Sequence, residues 1–63
     1  MTATEYITSN PWEIGEEKRV IFDRSSKGIL KRVHSRWWEY KSDITSQTRQ
    51  FNYNQLHAFK ILD

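Results

Sequence analysis

Apolar side chains in this chain come in short runs rather than long stripes, and their spacing favours strands. Glu17 to Asp23 carries Val20, Ile21 and Phe22, a β-branched and aromatic run of strand length. The segment Asp23-Arg24-Ser25-Ser26-Lys27-Gly28 follows as a polar loop, with Gly28 expected to supply positive φ at its end. Such a loop joins antiparallel strands, so Ile29 to Lys41 reads as a long second strand. A polar connection over Ser42 to Ser46 leads to a third strand over Gln47 to Tyr53, with Phe51 and Tyr53 on one side. Asn54-Gln55 is a second tight turn, and Leu56 to Leu62 is a fourth strand or a short terminal helix.

The same pattern admits a rival in the middle of the chain. At helical spacing Ile29, Leu30, Val33, Trp37 and Tyr40 fall within an arc of about 100°, an amphipathic face with only Trp38 clearly off it. Strand is preferred because Val, Trp and Tyr are β-formers and no clear capping box precedes the run. The expected fold class is therefore all-β, a small antiparallel meander of three to four strands as an open sheet or a partly open barrel. The alternative is α+β with residues 26–41 helical.

The N-terminal stretch is less regular. Thr2-Ala3-Thr4-Glu5 matches a capping box, but no apolar helical run follows it. Residues 1–15 read as a loosely held arm and turn, and residues 16–63 as a single small domain. Asn10-Pro11-Trp12-Glu13 suits a turn or one helical turn ended by Gly15, with Trp12 and Ile14 plugging an end of the core.

Length and composition narrow the classes. A chain of 63 residues forms one domain at most and buries only about 60% of the surface its unfolded chain exposes. Aromatics make up 14% of it and charged residues 29%, so rings supply much of the core. With no cysteine, a disulfide framework and a thiolate metal site are excluded, and homodimerisation is one expected route to added stability. No apolar stretch has the length of a signal core or a membrane span, so a cytoplasmic protein without membrane contact is expected. The net charge of +2 is unevenly spread. Residues 1–23 hold two bases against five acids, and residues 24–63 hold eight against three.

Catalysis finds little support, and no enzyme activity is expected. His34 and His57 are far apart with no metal-ligand spacing, and the serines and threonines lie in no nucleophile motif. Glu13, Glu16 and Glu17 read as a solvated acidic turn. Gly15 and Gly28, the only glycines, make no phosphate cradle. Neither a metal nor another cofactor is expected.

What remains is Lys31 to Lys41, which interleaves cations with rings. As a strand it places Arg32, His34, Arg36, Trp38 and Tyr40 on one side and Val33 and Trp37 on the other. Trp37 is expected in the core with Val33. Trp38 and Tyr40 are candidates to stack on unpaired bases, Lys31, Arg32, Arg36 and Lys41 to contact phosphates, and His34 to stack or hydrogen-bond. Phe51 and Tyr53, with Arg49, either extend that platform or complete the core. The expected function is a non-catalytic module binding nucleic acid through this strand. The alternative is an adaptor or inhibitor that occupies a larger protein with an exposed Trp/Tyr/Arg patch.

Overall fold

A computed structural model describes residues 1–45 and 47–62. Ser46, the last residue of the expected polar connection, and Asp63 lie outside the described residues. The described chain runs α1 (Ala3–Ser9), β1 (Glu17–Phe22), β2 (Ser26–Arg32), β3 (Trp37–Ser42), β4 (Thr48–Asn52), a 3₁₀ turn (Tyr53–Ala58) and β5 (Phe59–Ile61). The strands form one antiparallel sheet in the order β4-β3-β2-β1-β5, with two free edges and no closure into a barrel.

β1 to β4 are the expected meander, and the helical alternative for 26–41 does not occur. Two features exceed the expectation. The long strand over 29–41 is two strands, because the chain turns back at residues 33–36. There the Val33 and His34 amides both donate to the Trp37 carbonyl at 3.1 Å. The C-terminal segment is both things it was expected to be in the alternative: a 3₁₀ turn through Ala58, then β5, which crosses to the far side of β1 and pairs Phe22 with Phe59. The count of strands is thus five rather than three to four.

Residues 3–9 are not a loose arm. Thr2 caps α1 reciprocally, its hydroxyl accepting from the Glu5 amide at 3.2 Å while Glu5 Oε1 accepts from the Thr2 amide at 2.9 Å. The capping box thus starts a helix in spite of its weak apolar pattern, because Ala3, Tyr6 and Ile7 find the sheet's core to pack on. The turn before β1 uses Gly15 at φ 95°, with the Glu16 amide donating to the Glu13 carbonyl at 3.0 Å. Trp12 fills the core as expected, and its indole N–H donates to the Glu16 carbonyl at 2.8 Å. Ile14 instead stands in solvent, because the turn points it away.

Strand register explains the core. Val20, Leu30, Trp38, Tyr40, Phe51 and Phe59 project from one face and are buried, together with Trp12, Ala3 and Leu56, which cover them. Burying each such large side chain contributes ~1.5–3 kcal/mol. Phe22 stacks on Phe59 with centroids 4.8 Å apart, and Phe51 meets Phe59 edge-on at 4.9 Å. At the other end Tyr6, Trp12 and Trp38 form a chain of edge-on contacts at 5.6 and 6.0 Å. Gly28 is needed for space rather than for positive φ. It sits inside β2, where a Cβ would meet the Lys41 carbonyl and lie 2.7 Å from Tyr40 Cε1. The positive φ of that hairpin falls on Asp23 and Arg24 instead.

Candidate nucleic-acid interface

The alternation read from the sequence is real, but its orientation is the reverse of the expected one. Trp38 and Tyr40, expected to face solvent, are buried at 0% and 4% exposure. The Tyr40 hydroxyl donates to the Ser26 carbonyl at 2.9 Å. Burial pushes its pKa above the ordinary phenol value, so the ring stays neutral. Neither ring offers a face to a ligand.

Arg32 shares that covered side and is occupied there. Its guanidinium lies 4.9 Å from the Trp38 ring and donates to the carbonyls of Trp12 and Ser35, the latter at 2.6 Å, while Nε reaches the His34 carbonyl at 3.3 Å. One side chain therefore ties the 33–36 turn to the N-terminal segment across the edge of the core. It is a structural cation.

His34 and Arg36 lie in the turn and are exposed. Lys31 and Lys41 project from the opposite face, on neighbouring strands. Of the seven residues singled out, the structure thus places three on the covered face, two in the turn and two on the open face.

That open face carries Glu17, Arg19 and Ile21 on β1, Lys27, Ile29 and Lys31 on β2, Glu39 and Lys41 on β3, and Lys60 on β5. No element of the described chain packs on it. Three rows cross the strands: Lys60-Ile21-Lys27, then Arg19-Ile29-Lys41, then Glu17-Lys31-Glu39. Arg19 is paired with Asp43 at 3.0 Å, so the charge on offer is concentrated at Lys27, Lys41 and Lys60, with Lys31 between two carboxylates.

At the end of this face stands Trp37, 44% exposed, next to Asn52 of β4. Tyr53, the first residue of the 3₁₀ turn, is 45% exposed. Its chain direction changes here because the Gln55 side chain accepts from the Asn52 amide at 3.0 Å, which ends β4 and starts the turn. Trp37, Tyr53, Arg36, Asn52, Asn54 and Ser35 line a cleft of about 530 Å³. Of the nine aromatic residues in the chain, all described, only Trp37 and Tyr53 stand exposed, and both line this cleft. Sequence reasoning assigned Trp37 to the core and left Tyr53 undecided. The signal that identifies the outward face is the odd-numbered series Lys31, Glu39, Lys41, which keeps company with Trp37 on alternate positions.

A cleft walled by two rings, with amide side chains and a guanidinium at its rim, can hold a flat polar group and hydrogen-bond its edge. Among the described residues, no three His, Cys, Asp or Glu side chains gather as metal ligands, and no helix is long and apolar enough to cross a membrane. No family model matches the chain, and no curated protein or solved structure matches it either.

Proposed function

We propose that this protein is a non-catalytic binding module for single-stranded nucleic acid. A base would enter between Trp37 and Tyr53, with Arg36, Asn52 and Asn54 at its edges. The phosphate backbone would follow the open face past Lys31, Lys41 and Lys27. The observation that carries this reading is the segregation of the rings: seven are wholly or partly packed away, and the two exposed ones flank a single cleft beside a lysine-bearing sheet face. Stacking in such a cleft is worth about 1–3 kcal/mol per base and tolerates different bases.

Fluorescence titration with single-stranded and duplex DNA and RNA at two salt concentrations tests it. Single strands are expected to quench Trp37 and to bind more weakly as salt rises. Trp37→Ala should weaken binding by about tenfold or more. Absence of binding at low salt would remove the proposal.

One observation favours a protein partner as a second reading. Glu17 and Glu39 flank Lys31, and Asp43 neutralises Arg19, so the face is less basic than nucleic-acid surfaces usually are. The Trp37, Tyr53 and Arg36 cluster has the composition of an interface hot spot. A protein captured from native extract that survives nuclease treatment, and is lost with Trp37→Ala, would favour this reading.

A further inference from the structure

The tip of the first hairpin has a costly backbone. The Ser25 amide donates to the Phe22 carbonyl at 3.2 Å, which closes a four-residue turn, and the central residues Asp23 and Arg24 have φ of 52° and 70°. Turns with both central residues in that region favour asparagine and glycine. Aspartate tolerates it. Arginine does so only at a steric cost that glycine would avoid. Among the described residues the Arg24 side chain forms no ion pair in return: those present join Lys18 to Glu16 and Arg19 to Asp43, and Arg24 is exposed.

Arg24 does have a cleft to face. The Asp23 amide donates to the Ala58 carbonyl at 3.2 Å, which fastens the hairpin tip to the junction between the 3₁₀ turn and β5. Between the two lies a cleft of about 500 Å³ lined by Ile21, Arg24, Lys60, His57, Thr2 and Asp23. Lys27 adjoins it as the register partner of Ile21. His57 Nδ1 lies 2.9 Å from the Asn54 carbonyl, which can only accept, so Nδ1 carries hydrogen and Nε2 donates to an anion only in the imidazolium form. A guanidinium and an ammonium thus meet one carboxylate beside an imidazole and an apolar patch. That donor-rich set suits a phosphate group, whose oxygens match the arginine fork and accept from the lysine.

We propose that the Arg24–Lys60–His57 cleft is a phosphate-binding site. It lies at the opposite end of β2 from the Trp37–Tyr53 cleft and stands whether or not that cleft takes a base. The strained arginine is then retained for its charge, as strained residues at functional sites often are.

Inorganic phosphate titrated into the full chain tests the site, followed by NMR at the Arg24 Nε–H, the His57 ring and the Lys60 amide. Saturable shifts confined to these signals are expected. Arg24→Gly should weaken phosphate binding by about tenfold or more while raising the Tm, because it relieves the backbone. Lys60→Gln should weaken binding without changing the turn, and Arg49→Ala should leave binding as it was. Shifts that never saturate, shifts spread equally over Lys31 and Lys41, or an Arg24→Gly protein that binds phosphate as before would each overturn the proposal. Competition with a 5′-phosphorylated oligonucleotide and its unphosphorylated parent identifies the source. Competition by the phosphorylated form alone assigns the site to a polynucleotide end, and by neither to small phosphorylated molecules. Equal competition by both would make the cleft a stretch of backbone track and overturn a separate phosphate site.

Discussion

The two faces of the sheet use the same kinds of residue for opposite ends. On the covered face a tryptophan, a tyrosine and an arginine build the interior: Trp38 and Tyr40 are buried, and Arg32 lies over the indole with its donors spent on three carbonyls. At the end of the sheet where β3 begins and β4 ends, Trp37, Tyr53 and Arg36 line an exposed cleft. Composition alone cannot tell these trios apart. What separates them is whether α1, Trp12 and Leu56 lie on top.

Substitutions at adjacent positions should break this comparison most sharply. Trp38→Ala removes a fully buried ring and should cost about 3–5 kcal/mol, enough to unfold a domain of this size. Urea denaturation measures it. Trp38→Phe should recover most of that loss, since the indole N–H has no hydrogen-bond partner among the described residues. Gly28→Ala comes next, because its methyl group would collide with the Lys41 carbonyl and the Tyr40 ring. A loss of about 1–3 kcal/mol is expected, read in the same assay. Arg32→Ala should cost about 1.5–3 kcal/mol, and Arg32→Lys should recover little, because a single ammonium cannot span the Trp12 carbonyl and the two carbonyls of the turn. If Arg32→Ala were neutral for stability and damaging only to binding, the covered arginine would belong with the exposed one.

Smaller effects sharpen the picture. Thr2→Ala should cost about 1 kcal/mol by uncapping α1. The Thr2 backbone amide, and next the Thr2 hydroxyl, hold the Glu5 pKa below the ordinary glutamate value. Because that pKa is depressed in the folded state, the contribution is present above the ordinary value and fades as pH falls through the folded one. Thr2→Ala removes only the hydroxyl's share and should flatten this part of the acid limb of a Tm–pH profile in part, whereas Glu5→Gln should remove it. Tyr40 acts in the other direction. Its pKa is raised by burial, so stability is intact below the ordinary phenol value of about 10 and declines as pH climbs past it. Tyr40→Phe should remove that alkaline decline. The smallest change is expected at Trp37→Ala, with stability shifting by less than about 0.5 kcal/mol while ligand quenching is lost.

The alternation within residues 29–32 and 37–41 was legible, and so were the antiparallel meander, the loop after Asp23 and the plugging role of Trp12. The side that faces water was not, for a physical reason that particular residues make clear. Arg32, His34 and Arg36 gave the even positions a polar look, yet the first is spent inside the fold and the other two are in a turn rather than a strand. The turn itself leaves no glycine or proline mark. It is held by Arg32 reaching the His34 and Ser35 carbonyls, a contact that exists only once the chain has folded. α1 was hidden for a similar reason, since its short apolar face is stabilised by Trp12 and the sheet and not by its own periodicity. The phosphate cleft unites Thr2, Arg24, His57 and Lys60 from three distant stretches, and no local spacing announces it.

The bond from the Ile61 amide to the Met1 carbonyl, at 2.8 Å, puts the two ends of the described chain side by side. A short peptide linker joining them would give a circular polypeptide with the sheet undisturbed, and new termini could be opened at the exposed 43–45 loop. Such a permutant would carry its ends away from Thr2 and Lys60, which line the Arg24–Lys60–His57 cleft, and leave that cleft free for immobilisation experiments.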